Sequence, residues 1–350
     1  MITFFDATLT TVLAAIFVFG LLIFVHELGH FVFAKLTGMR VDEFAIGFGP
    51  KIIGYQYGET FYSLRIFPLG GYNKIAGMDL EEDDDERAFG RKPLWARALM
   101  IFGGALMNFI LPVILFAMIF SIRGFDVPTD ESIIGQVITG RPAAQAGLQA
   151  GDRITAIDEQ PVNTWAEMVR TINSNPGHQL VLLVQRNSET FKTIVTPELD
   201  PNLQRGLIGV GPLLLHTEPT LLASVGYAFT QTALILKEMV MGIAHMITGT
   251  ASFDVAGPLG VAQMAGQAAQ IGIMRLLELT AIVSLNLGLI NLLPLPALDG
   301  GHIVILILEG IRKKPISKSA IYTIQMIGFA LILALVVTST YKDILRFKFF

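Results

Sequence analysis

The sequence predicts a polytopic α-helical membrane protein with about four spans, a region of short β-hairpins and an inserted soluble domain. Of its 350 residues, 52% are hydrophobic and 15% are charged, whereas charged residues make up about 25% of an ordinary soluble protein. Several apolar runs reach the roughly 20 residues that a helix needs to cross a bilayer. Residues 124–213 differ, because their composition is that of a soluble domain.

Composition also limits the chemistry. The net charge of −4 gives no indication of nucleic-acid binding. The chain contains no cysteine, which excludes thiolate metal ligands, disulfides and cysteine nucleophiles. Any metal ion must therefore be held by histidine and carboxylate side chains.

The first predicted span, residues 7–34, contains the motif His26-Glu27-Leu28-Gly29-His30. Ionisable groups inside a membrane span are expensive, so the motif is a hypothesis for a functional site. On a helix, His26 and His30 lie on one face with Glu27 beside them, as in zinc hydrolases that use glutamate as a general base. A chance match, or two core histidines that hydrogen-bond, is the alternative.

Residues 41–74 follow with aromatic and β-branched residues between glycines, which predicts short hairpins. Their apolar character favours a sheet that dips into the bilayer and lines a cavity. A small soluble sheet at the membrane surface is the open alternative. The acidic segment 79–86 predicts a solvated loop.

The second predicted span, residues 94–122, contains Gly103, Gly104 and Asn108. Small residues allow helices to pack closely, and an asparagine inside a bundle needs a polar partner. That partner could simply be a neighbouring helix.

The soluble domain is predicted to be α/β or mostly β. Thr164 and Glu167 form a capping box that opens a helix through Ile172. A hairpin turns at Asn187-Ser188. The other predicted elements are strands at 133–139, 152–157 and 206–211, a short helix at 142–148, and hairpin strands at 180–185 and 191–196.

Residues 214–275 are predicted to be membrane-associated, with an amphipathic helix at 221–247. Two further spans are predicted at 276–293 and 321–339. Basic residues close to span ends concentrate at 35–97 and 312–318, and basic loops stay in the cytoplasm. Four spans then place both termini and the soluble domain outside.

The third span ends in Asn291-Leu-Leu-Pro294-Leu-Pro296-Ala-Leu-Asp299. Two prolines interrupt the helical hydrogen bonds, so the backbone must unwind, and Asp299 is free to aim inward. Two histidines and one aspartate with an open position are the ligand count of a catalytic zinc. Alternatively, Asp299 is an N-cap for a helix that begins at Gly300.

Together these two motifs resemble the site-2 protease family of intramembrane zinc metalloproteases, in particular the bacterial regulator-of-sigma-E type with a PDZ domain. Other segments strengthen the likeness. Gly47–Pro50 and Pro68–Tyr72 are similar to the membrane-reentrant β region of the family. Gly104–Phe109 is similar to its second-span motif, although Ala105 replaces a proline. Arg141–Asp152 is similar to its PDZ domain.

The resemblance implies one catalytic Zn²⁺ held by His26, His30 and Asp299, with Glu27 polarising the attacking water. It implies hydrolysis of a peptide bond in or near the transmembrane segment of a single-span protein that another protease has already cut, such as an anti-sigma factor or a signal-peptide remnant. The resemblance to the bacterial type also implies a location in the bacterial inner, or cytoplasmic, membrane, with the lipid bilayer as a partner. The implied substrate-binding residues are Asn291, Pro294, Pro296 and Asn108.

The implied organisation has four parts: 1–123 and 276–350 as membrane parts, 124–213 as an extracytoplasmic PDZ domain, and 214–275 between them. The PDZ domain would filter substrates by size or bind a new C-terminus through Gly206, Leu207, Ile208 and Gly209. A non-catalytic scaffold or receptor that binds peptides through the PDZ domain and keeps a structural zinc is the alternative function. A transporter is less well supported, because the spans show no internal repeat.

Overall fold

The computed structural model describes residues 2–78, 84–200, 205–218, 220–249 and 257–347. The chain forms two compact units, Met1–Phe120 with Leu221–Phe350, and Ser121–Thr220. The described helices are α1 (Ile2–Leu36), α2 (Leu94–Arg123), α3 (Pro142–Gln145), α4 (Trp165–Asn173), α5 (Leu221–Ile247), α6 (Pro258–Ile271), α7 (Ile273–Asn291), α8 (Asp299–Arg312) and α9 (Lys318–Phe347). Residues 79–83 of the acidic segment lie outside the described residues.

Four helices in the described part of the chain are long and apolar enough to cross a membrane. They are Thr8–Leu36, Leu94–Arg123, Ile273–Asn291 and Ser319–Arg346. These are the four predicted spans, and α5 is not among them. On α9, large apolar side chains such as Leu331 and Val337 are each 60% exposed. Such a face suits hydrocarbon, and the chain is an integral membrane protein.

The core of the first unit forms where α1, α2, α6 and α7 meet. Helix α6 packs closely on α1, since a Cβ at Gly266 would lie 2.2 Å from Oγ1 of Thr11. The buried apolar side chains of this core include Val18, Leu22, Leu115, Phe116, Ile119, Ala265 and Ala281. This packing holds α1, the helix that carries both motif histidines, in the middle of the unit.

The predicted hairpin region consists of two long, bent antiparallel strands, β1 (Val41–Tyr57) and β2 (Thr60–Ile75). Phe44 pairs with both Asn73 and Tyr62, and Leu64 pairs with both Ile46 and Ile53. The two strands therefore make four adjacent segments, in the order 51–57, 60–65, 43–46 and 71–75. Positive φ angles at the glycines of the bends, 89° at Gly47 and 83° at Gly49, make this folding possible.

The second unit contains a four-stranded antiparallel sheet whose strands lie in the order Gln160–Pro161, Arg153–Ile157, Leu180–Arg186 and Glu189–Val195. Its core includes Ile154, Met168 and Leu182. The strands of the unit are β3 (Phe125–Pro128), β4 (Ile134–Val137), β5 (Arg153–Ile157), β6 (Gln160–Pro161), β7 (Leu180–Arg186), β8 (Glu189–Val195), β9 (Glu198–Asp200), β10 (Arg205–Leu207), β11 (Val210–Pro212) and β12 (Leu214–Thr217).

Several local predictions for this unit are confirmed. Thr164 and Glu167 make the reciprocal hydrogen bonds of a capping box at the start of α4. The β7–β8 hairpin turns at Asn187, whose φ is 56°.

Although burial of the Asp152 carboxylate raises its pKa, the hydrogen bonds from Arg186 and from the Gln149 amide outweigh burial and bring that pKa below its usual range.

Two boundaries differ from the sequence-based expectation. The compact unit is wider than 124–213, because β12 pairs with β3 and brings residues up to Thr220 into it. The single strand expected at 206–211 is wrong. Gly209 has a φ of 81°, so the chain turns there and leaves two short strands that pair with β9 and β4.

Candidate metal centre

Helix α1 brings the two motif histidines together. Because they are four residues apart on a regular helix, their rings lie on one face, and their Nε2 atoms are 3.2 Å apart. Both rings are largely shielded, with side chains 14% and 13% exposed. Two imidazole nitrogens thus converge on one point inside the first unit.

Asp299 reaches the same point from the other end of the chain. Helix α7 ends at Asn291 and α8 begins at Asp299, so the helix is interrupted across Pro294 and Pro296, as predicted. Oδ2 of Asp299 lies 3.5 Å from Nε2 of His26 and 3.6 Å from Nε2 of His30. The N-cap position of α8 is occupied by Leu298, which disfavours a capping role for Asp299.

The geometry of these three atoms fits a zinc ion. Ligands about 2 Å from zinc at tetrahedral angles lie about 3.4 Å from one another, close to the separations of 3.2, 3.5 and 3.6 Å. Oδ2 of Asp299 is buried and has no hydrogen-bond partner among the described residues. A buried carboxylate oxygen without a partner is costly, and a cation between the three atoms would remove that cost.

The second nitrogen of each histidine also has a neighbour. Nδ1 of His30 lies 3.0 Å from the Met100 carbonyl oxygen. A carbonyl only accepts, so Nδ1 carries the proton and Nε2 keeps a free lone pair. This is how proteins commonly orient a metal-binding histidine.

Asn108 plays the corresponding part at His26. Its amide Nδ2 is 3.1 Å from Nδ1 of His26, while its Oδ1 is buried and unpaired among the described groups. The two ends of an amide are interchangeable in assignment. Turned by 180°, the amide would accept a proton from Nδ1 and leave Nε2 of His26 free as a ligand. Asn291 lies at a longer distance of 3.5 Å.

Three glycines let α2 approach the imidazoles. A Cβ at Gly104 would lie 2.3 Å from Nε2 of His30 and 2.8 Å from Cε1 of His26. A Cβ at Gly29 would lie 2.2 Å from the Gly103 carbonyl oxygen. The close helix packing that the sequence predicted at Gly103 and Gly104 is confirmed, and it places α2 directly against the histidine rings.

Glu27 has a partner that the sequence did not indicate. Nδ2 of Asn73, on β2, donates to Oε2 of Glu27 at 2.7 Å and to the Glu27 carbonyl at 2.9 Å. The strand comes very close here, since a Cβ at Gly71 would lie 2.8 Å from Cγ of Glu27. The only signal in the sequence was a polar residue directly after Gly-Gly-Tyr in an apolar strand.

The residues expected to bind substrate occupy two environments. Pro294 and Pro296 lie on the segment between α7 and α8, where Pro294 is exposed. Asn291 and Asn108 are buried beside His26, and Asn108 has no exposed surface. In this arrangement Asn108 contacts the histidine, so its burial disfavours the direct substrate contact that the resemblance implied.

The second unit has a cleft of its own between α4 and the β10–β11 segment. Leu207, Ile208 and Gly209, three of the four residues of the predicted peptide loop, line it. The fourth residue, Gly206, does not line it, and a Cβ there would lie 2.5 Å from the Ile172 carbonyl oxygen. Arg141 and Arg205 bring positive charge to this cleft, and Trp165 and Val169 bring apolar surface.

Several known proteins are similar to this chain. The regulator of sigma-W protease RasP of Bacillus subtilis is 32% identical over 417 residues, covering 96% of this chain and 98% of RasP. The zinc metalloprotease RasP of Geobacillus kaustophilus is 32% identical over 419 residues, covering 97% of this chain and 99% of the relative. The crystal structure of the PDZ domain of an SdrC-like protein from Listeria monocytogenes matches 25% of this chain and 94% of that domain, at 24% identity and a TM-score of 0.22.

A family profile covers most of the chain. The profile described as peptidase family M50 matches residues 14–335, a range that includes both predicted metal-site motifs. With relatives that align over nearly their whole length, it shows that the chain is a zinc metalloprotease with a zinc cofactor. The chain belongs to peptidase family M50, the site-2 proteases.

Proposed function

We propose that this zinc metalloprotease hydrolyses a peptide bond in or near the transmembrane segment of a membrane protein. The observation that carries the proposal is the triangle of His26, His30 and Asp299. Both histidines and Glu27 lie on α1, a helix that is long and apolar enough to cross a membrane. His26, His30 and Asp299 would hold the zinc ion. A bound zinc supplies a water whose pKa is near 7 and polarises the scissile carbonyl.

The chain's own residues do the rest of the chemistry. The carboxylate of Glu27 accepts a proton from the attacking water and delivers it to the nitrogen of the leaving amine. Met100 and Asn108 keep the two imidazoles oriented through Nδ1. An extended substrate would lie along the non-helical segment that contains Pro294 and Pro296, with Asn291 at its base.

The substrate class follows from the chemistry and from the relatives. A transmembrane helix hides its carbonyls in hydrogen bonds, so the substrate must be extended before attack, and pairing with the strand region 41–74 would extend it. The Bacillus subtilis relative is named as a regulator of sigma-W, which supports an anti-sigma factor as substrate. A signal-peptide remnant has the same single-span form. In either case another protease would first remove the outer domain.

The second unit is proposed to be a PDZ domain that receives a peptide C-terminus. Its cleft combines apolar walls at Trp165 and Val169 with Arg205 and with Arg141, whose Nη1 also donates to Oε2 of Glu198 at 2.8 Å. Apolar walls suit a hydrophobic terminal side chain, and cations suit its carboxylate. The loop that contains Leu207, Ile208 and Gly209 would carry the contact.

The location proposed is the bacterial cytoplasmic membrane, with both termini and residues 124–213 on the outer side. Four candidate spans leave the basic segment 312–318 on the cytoplasmic side in this orientation.

The test is a Glu27→Gln variant of the full chain in detergent, assayed against a tagged single-span protein with a signal-peptide-type segment. We expect the variant to keep its zinc and to lose activity by about 100-fold or more, because only the proton acceptor is removed. Equal cleavage by both proteins would refute the role of Glu27. No cleavage by either, with zinc in place, would support the non-catalytic scaffold.

A further inference from the structure

Asn73 makes a two-point contact with the residue proposed as the general base. Its Nδ2 is 2.7 Å from Oε2 of Glu27 and 2.9 Å from the Glu27 carbonyl oxygen. Both of these groups only accept, so the atom that faces them must be the amide nitrogen, which has two protons to donate. The contact joins residues 46 positions apart in the chain.

This contact fixes the direction of a flexible side chain. Glutamate has three rotatable bonds, and ordering it costs conformational entropy. One donor that bridges the carboxylate and the carbonyl of the same residue restricts those rotations. It engages Oε2 and leaves Oε1 to accept a proton.

The strand that carries Asn73 is itself held in place. Asn73 pairs with Phe44 in the sheet. Next to it, the hydroxyl of Tyr72 donates to Oε2 of Glu43 at 2.8 Å. Nη2 of Arg65 donates to Oε1 of Glu43 at 2.8 Å and to the Tyr72 hydroxyl oxygen at 2.6 Å. Gly71 brings the backbone of the strand against Glu27, because a Cβ there would lie 2.8 Å from Cγ of Glu27 and 2.9 Å from the Ala45 carbonyl oxygen. The amide of Asn73 is therefore presented by a rigid edge.

We propose that Asn73 is a positioning residue for the catalytic base: it holds the Glu27 carboxylate in the orientation that receives the proton of the attacking water. The proposal rests on the proposed function of Glu27. Asn73 makes no contact with the three candidate zinc ligands among the described hydrogen bonds, so its effect should be on turnover and not on metal binding.

The first variant is Asn73→Leu, because leucine has the same branching and number of side-chain heavy atoms as asparagine, although it is larger, and has no donor. We expect kcat to fall by about 10- to 100-fold, the range seen when a reacting group is misplaced or a supporting hydrogen bond is lost. KM should stay within about 2-fold, since substrate binding is not touched. Zinc content per chain should equal that of the wild type.

The matched control is Lys192→Gln, which changes an exposed side chain on β8, outside the strand region 41–74 and outside the lining of the cleft in the second unit. It should leave kcat, KM and zinc content unchanged. Asn73→Asp is a second variant that keeps the shape of the side chain and places a second carboxylate against Glu27. It should reduce kcat at least as much as Asn73→Leu. Because Asn73→Asp keeps the shape of the side chain, such a loss would come from the orientation of Glu27 and not from packing.

A double-mutant cycle shows whether Asn73 acts through Glu27. Glu27→Asp shortens the side chain by one methylene group and withdraws the carboxylate from Asn73. In that background, Asn73→Leu should change kcat by less than about 3-fold, because the coupled contact is already lost. A merely structural role would give the same loss in both backgrounds.

The outcomes separate this proposal from the proposed function. If Glu27→Gln is inactive while Asn73→Leu turns over like the wild type, the positioning role is refuted and the protease mechanism stands. If Glu27→Gln remains active, the role of Glu27 fails first. If Asn73→Leu loses zinc, or if its effect is the same in the Glu27→Asp background as in the wild type, Asn73 is a structural residue and the proposal is overturned.

Discussion

At the scale of single residues, the metal centre depends on the absence of side chains as much as on their presence. The imidazoles of His26 and His30 need an adjacent helix that excludes lipid and supplies polar partners. Helix α2 can provide both only because Gly104 carries no Cβ at a point 2.3 Å from Nε2 of His30. Met100 and Asn108, one turn before and after that glycine, then reach the two Nδ1 atoms.

Gly104→Ala should therefore disrupt the centre. The new methyl group is attached to a helix backbone and cannot turn away, so the His30 ring or α2 must shift. We expect zinc affinity to fall by at least about 10-fold, as when groups that orient metal ligands are disturbed. Zinc per chain after dialysis against a weak chelator measures this. Gly20→Ala, where nothing lies within 4 Å of the new Cβ, is the control, and equal zinc retention in both variants would contradict the prediction.

At the scale of elements, one helix is capped by another that lies far away in the sequence. Helix α6 begins after Gly257, which has no side chain to cap it, and Pro258 follows at its start. The carboxylate of Asp343 on α9 accepts from the Gly257 amide at 3.2 Å and from the Gly260 amide at 2.8 Å. Asp343 is 2% exposed. This contact links α9 to α6, the helix that packs on α1.

Asp343→Ala should lower the free energy of unfolding by about 1–3 kcal/mol, because it leaves two buried amide donors without an acceptor at a helix N-terminus. Asp343→Asn retains one acceptor oxygen and should lose less. Thermal loss of helical circular dichroism in detergent compares the three proteins. Identical unfolding of the alanine variant and the wild type would show that water replaces the carboxylate at no cost.

At the scale of the whole molecule, the described residues include four helices that are long and apolar enough to cross a membrane, and the chain forms two compact units. Among the described helices α5 is 27 residues long and is not a candidate span. An even number of spans places the two termini on the same side. In the proposed four-span topology, the inserted unit and the segment 312–318 lie on opposite sides of the membrane, because one span separates them.

This topology can be mapped directly, because the chain has no cysteine. A Ser188→Cys variant, in the exposed turn of the β7–β8 hairpin, should react with a membrane-impermeant maleimide in cells whose cytoplasmic membrane is intact. A Lys314→Cys variant should react only after the membrane is permeabilised. The reverse labelling would show that the orientation is opposite to the one proposed. Labelling of both cysteine variants in intact cells would mean that α5 or another helix changes the number of spans.

Much of the fold was predictable because the determining interactions are local. The length of the spans follows from the thickness of the bilayer. The common face of His26 and His30 follows from the helical repeat. The interruption after Asn291 follows from two prolines, which have no backbone N–H to donate to a helical hydrogen bond. The capping box at Thr164 and the turn at Asn187 depend on neighbouring residues alone. The strand break at Gly209 was missed, because glycine allows a positive φ without requiring it.

The sequence by itself determined the composition of the metal centre: two histidines one turn apart, a glutamate between them, and an aspartate after a broken helix. Only the tertiary structure decided how these groups meet, since it sets the 3.5 Å between His26 and Asp299 and the 2.7 Å between Glu27 and Asn73. Contacts of this kind join residues 46 or more positions apart. Their geometry depends on how helices and strands pack, which no local pattern encodes.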